Sequence, residues 1–121
     1  MTKPSIYHSQ GYNCAEALIK SYNEEHDTKI PVSLGSGMGT GATVGSICGA
    51  VNAAVLVIGY LKGREDKLEA NEARSYSNKL MKIVRDKYNS EICVDLKRNK
   101  IGCAEIIDFT YDALNDLLDN E

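Results

Sequence analysis

The stretch Gly35–Gly63, "GSGMGTGATVGSICGAVNAAVLVIGYLKG", decides the fold. It begins as a glycine ladder, passes through Cys48 and ends in an almost unbroken apolar run. A phosphate cradle would place its glycines in a fixed order after a strand, with a lysine at the end of the loop or a third glycine in register. Neither occurs. No lysine lies between Lys29 and Lys62, and Thr40 stands where the dinucleotide fingerprint started at Gly35 needs glycine. The run from Ala42 to Leu61 is long enough to cross a bilayer and carries no charge. Its first half is glycine-rich, however, Asn52 interrupts it, and no tryptophan flanks it. A helix over 46–61, buried on all sides inside a small bundle, accounts for these features.

Working outward, 11–25 reads as an amphipathic helix, with Ala15, Leu18, Ile19 and Tyr22 at helical spacing. Residues 26–45 read as a loop, with at most a short extended piece near Ile30–Leu34. A long surface helix follows over 65–89, its inner stripe formed by Ala73, Tyr76, Leu80, Ile83 and Val84. A short segment carries Cys93, and a last helix covers 101–119. The expectation is an all-α, four-helix bundle-like single domain over 1–121, with a glycine-rich loop before helix two.

Bulk properties narrow the function. The 121 residues carry a formal charge of −3 and no basic patch, which gives no reason to expect nucleic acid as a partner. The first residues, "MTKPSIYHSQ", lack the apolar core of a secretory signal, so the expected compartment is the cytoplasm. Four cysteines there are thiols, metal ligands or transient disulfides rather than permanent staples.

Those cysteines share a setting. Cys14, Cys48 and Cys103 each fall near a helix start, and Cys-Ala-Glu occurs at 14–16 and again at 103–105. With Ser46 or Thr43 as its cap, Cys48 would sit in the first turn, where free amides and the helix dipole favour a thiolate. It is expected to be the most activated of the four. The spacings of 34, 45 and 10 residues match no zinc or ferredoxin pattern, leaving a dithiol centre and a cluster both open. His8 and His26 lack ligand spacing and are expected at the surface. Gly45, Gly49 and Ala53, and likewise Ser46, Ala50 and Ala54, recur every fourth residue. Such a face admits a close neighbour: another helix, a cofactor or a second copy in a homodimer.

The cysteine blocks "GYNCAEAL", "GSGMGTGATVGSICGAVNAA", "ICVDL" and "IGCAEII", taken in order, resemble the C_GCAxxG_C_C family of redox proteins over nearly the whole chain. One departure is Ala53, where the family motif closes with glycine. The resemblance implies redox activity centred on Cys14, Cys48, Cys93 and Cys103, acting either as ligands of an iron–sulfur cluster or other metal, or as a thiol/disulfide pair. Gly45, Gly49 and Ala50 are then expected to line the cofactor, and a redox partner protein is implied. The rival reading is a non-catalytic helical binding or dimerisation module with structural cysteines.

Overall fold

The computed structural model describes residues 3–119. Within them, six α-helices run in the order α1 (Pro4–Ser9), α2 (Cys14–His26), α3 (Gly49–Lys62), α4 (Glu72–Tyr88), α5 (Cys93–Arg98) and α6 (Cys103–Asp119). Among the described residues there is no strand, and the fold is all-α. The four long helices form the bundle. Apolar α3 packs against α2, α4 and α6, as its composition requires. Leu18, Ile19, Val51, Val57, Ile58, Leu80, Val84, Ile107 and Leu114 are sealed from solvent at its centre.

Helix α2 starts where its sequence dictates. The Asn13 side chain accepts from the Glu16 amide (2.8 Å), and Glu16 accepts in return from the Asn13 amide (2.9 Å). This reciprocal cap satisfies two amides that have no partner within the helix. The same Asn13 side chain donates to the carbonyls of Gly35 and Ser36, and Ser36 Oγ donates to Glu16. The glycine-rich loop is thereby fastened over the first turn of α2.

Several boundaries differ from the sequence-based expectation. Helix α1 was not foreseen; Pro4 occupies its first turn, and Ser5 ties it to Asp108 of α6. Helix α3 begins at Gly49 rather than 46. The reason is that Ser46–Cys48 lies alongside Glu91–Cys93: the Cys48 amide donates to Glu91 O (2.8 Å), and the Cys93 amide donates to Ser46 O (2.6 Å). Residues 65–71 are not helical. Arg64 there donates to the carbonyls of Lys67 and Glu69, and exposed Leu68 gives the segment no apolar anchor. The proposed extended piece near Ile30–Leu34 contains instead a tight helical turn, Val32–Gly35.

The loop before α3 is strained. Thr40, Gly41, Ala42 and Thr43 have φ of 54°, 60°, 55° and 69°, four consecutive left-handed residues, three of them with side chains. Each such residue costs about 1–2 kcal/mol relative to the right-handed form. Gly41 is required, since a Cβ there would lie 2.4 Å from Ser46 N and 2.8 Å from Cys93 Cβ. Ala42 is exposed, so Ala42→Gly is expected to stabilise the protein by up to about 1 kcal/mol, after the larger chain entropy of glycine is subtracted, in urea unfolding. Gly49→Ala should do the reverse. Its Cβ would stand 2.4 Å from Cys14 Sγ and 2.8 Å from Met38 O. An overpacking cost of about 1–3 kcal/mol exceeds the gain in helix propensity of at most about 1 kcal/mol, so the variant is expected to unfold at lower urea.

Candidate functional site

All four cysteines stand at helix starts. Cys14, Cys93 and Cys103 are the first residues of α2, α5 and α6, and Cys48 is the residue that caps α3. The sequence revealed three of these settings; the fourth depends on short α5. The starts converge on one cavity of about 90 Å³, lined by all four cysteines, with Gly49, Asn13 and Thr40 beside them and Leu96, Ile101 and Ile106 forming an apolar wall. Cys14, Cys48 and Cys93 are buried, whereas Cys103 is exposed; all four are free thiols.

The glycine loop brings main chain to sulfur. Burial pushes the Cys14 thiol up, and the amides of Thr40, Ala15 and Cys14 itself pull back towards the thiolate. For Cys48 burial wins more clearly. Its pKa is raised to about 11, although the amides of Val51 and Ala50 favour the charged form. The expectation that Cys48 is the most activated thiolate therefore fails: loss of water around the sulfur outweighs the helix dipole. Neither Ser46 nor Thr43 caps α3, because Ser46 is held in the pairing with Glu91–Cys93 and Thr43 is in the left-handed turn.

The thiols also act on one another electrostatically. Cys103 acts on Cys14, and Cys14 and Cys93 act on Cys48. All four lie on the wall of the one cavity. Segment Glu91–Cys93 is fixed from outside by buried Glu91, which accepts from Arg85 at 2.7 and 2.8 Å; Arg85 holds that carboxyl below its usual range.

Of the small residues expected to line a cofactor, Gly49 lies on the cavity wall. Gly45 lies against Val94, and Ala50 is sealed in the core, although its amide reaches the Cys48 sulfur. Ala53 and Ala54 are also fully buried, so these positions of the small-residue face pack within the chain. His8 and Lys97, which sequence reasoning did not connect to the cysteines, line the same cavity. Pro4 was the available signal for the helix carrying His8. His26 stacks on Tyr22 and is bonded to Asn115, away from the thiols. A wider cavity of about 630 Å³ between α4 and α6 has no cysteine in its wall.

Among the described residues, no three His, Cys, Asp or Glu side chains gather closely enough to hold a single metal ion. No helix among them is long and apolar enough to cross a membrane.

Neither a curated protein nor a solved structure matches the chain. A family pattern does, over residues 12–117, and its description reads "Putative redox-active protein (C_GCAxxG_C_C)". That span includes all four cysteines and every helix of the bundle except the final residues of α6, and the chain belongs to this family.

Proposed function

We propose that the protein is a thiol-based redox protein whose working centre is the four-cysteine cavity. The observation that carries this reading is the convergence of four helix starts, each bearing a thiol, on one small space. In the reaction two neighbouring thiols lose two protons and two electrons and form one disulfide; the electrons pass to a disulfide-bearing partner, which is reduced to two thiols. The protein contributes three things. Burial keeps Cys14 and Cys48 protonated and shielded from adventitious alkylation. Amides of Thr40, Ala50 and Val51 stabilise negative charge on sulfur as a proton departs. The pairing of Ser46–Cys48 with Glu91–Cys93 holds two of the thiols on adjacent backbone. Free thiols of this kind suit a reducing compartment such as the cytoplasm.

A second reading is favoured by the number and softness of the donors. Thiolates of Cys14, Cys48, Cys93 and Cys103 are the ligand set that an iron–sulfur cluster takes, and amides directed at sulfur tune such a centre. A cluster would supply one-electron transfer.

Anaerobic purification, with iron, sulfide and free-thiol analysis across glutathione buffers of stepped potential, separates the readings. Reversible loss of two thiols without iron is the expected result. Iron with sulfide, lost when all four cysteines become serine, would assign the cluster. Four thiols unchanged at every potential, with no iron, would refute both. The midpoint potential of the dithiol is expected to fall by about 59 mV per pH unit, because two protons leave with two electrons. Raised thiol pKa values extend part of that dependence above pH ~8.5, where an ordinary thiol would already have ionised.

A further inference from the structure

The four thiols are not equivalent. Three are buried and Cys103 is exposed, yet Cys103 shares the cavity wall with the others. A cavity of about 90 Å³ admits a sulfur atom and its substituents but no folded partner, so an incoming disulfide must be met at the rim. Cys103 is the cysteine presented there, at the first residue of the 17-residue α6 and open to solvent. Cys14, the first residue of α2, lines the same cavity and feels Cys103 electrostatically.

Resting on the thiol-redox reading, we propose that Cys103 is the attacking thiol towards an exposed disulfide and Cys14 the resolving thiol behind it. Cys103, as thiolate, attacks one sulfur of R–S–S–R. The S–S bond breaks, a Cys103–S–S–R bond forms, and RS⁻ leaves and takes a proton from solvent. Cys14 then gives its proton to solvent and attacks Cys103 Sγ. The mixed disulfide breaks, a Cys14–Cys103 disulfide forms, and the second RS⁻ leaves and is protonated. Two protein thiols are oxidised and one disulfide is reduced to two RSH. Cys48 and Cys93, both buried, do not meet the incoming disulfide.

The test treats reduced, metal-free full-length protein with glutathione disulfide, and in a second arm with uncharged 2-hydroxyethyl disulfide, followed by intact mass and peptide mapping. Wild type should lose two hydrogens and keep no adduct. Cys14→Ser should accumulate one stable adduct, mapped to Cys103, and Cys103→Ser should oxidise at least tenfold more slowly. Reaction with both probes places recognition in the disulfide itself; a response to glutathione disulfide alone assigns a charged substrate attracted to the Lys97 and His8 rim, with the same two thiols at work. If Cys14→Ser fails to fold, a brief N-ethylmaleimide pulse on native wild type replaces it, and Cys103 should be labelled first. An adduct or first label on Cys48 or Cys93, or wild-type oxidation rates in Cys103→Ser, overturns the assignment. Should wild type form a Cys48–Cys93 disulfide instead, the assignment falls while the thiol-redox function stands. If no disulfide forms and the protein as purified carries iron and sulfide, both fall.

Discussion

The structure depends on a contact between a sulfur atom and bare backbone. Cys14 Sγ occupies the space in which a side chain at position 49 would begin, and Met38 O closes the same space from the other side. Any larger residue at 49 would separate α2 from α3 at the point where their starts meet. The Asn13–Glu16 cap fixes where α2 begins, and the bonds from Asn13 to Gly35 and Ser36 bring the loop over it. The thiols of α2 and α3 are thus neighbours because main chain can approach main chain there.

Two forces compete at the sulfurs of Cys14 and Cys48. Helix starts offer unpaired amides and a positive dipole end, which favour thiolate. Burial removes the water that would solvate the charge. At Cys48 the second force wins and the thiol stays neutral near physiological pH. A centre built this way is guarded: three thiols are buried, Cys14 and Cys48 among them with raised pKa, and Cys103 stands where solvent still reaches.

The loop from Thr40 to Thr43 shows what this arrangement costs. Residues with side chains are held in a left-handed turn so that the Thr40 amide faces Cys14 and the chain can double back to pair Ser46 with Cys93. Strain of this kind persists where the surrounding structure over-determines it, and here it borders the four-thiol cavity. Ala53, the position at which the sequence departs from the family's glycine, is buried in the core and is not among the residues lining the cavity. The departure leaves the thiol pocket untouched.

The sequence by itself determined the four long helices, the all-α class and the family, because apolar spacing and capping residues are local signals. Leu18 and Ile19, or Leu80 and Val84, declare their buried faces without reference to any partner. It also pointed to the cysteines as a group. Tertiary structure alone decided the rest. The start of α3 was set by hydrogen bonds to Glu91 and Cys93, some 45 residues away, which no local pattern records. Cys93 became a helix start only through that pairing, and His8 and Lys97 joined the cavity through docking of short helices. The protonation of Cys48 was likewise beyond the sequence. A helix dipole can be read from neighbours in the chain, but the loss of water that overrides it comes from residues that meet only when the chain is folded.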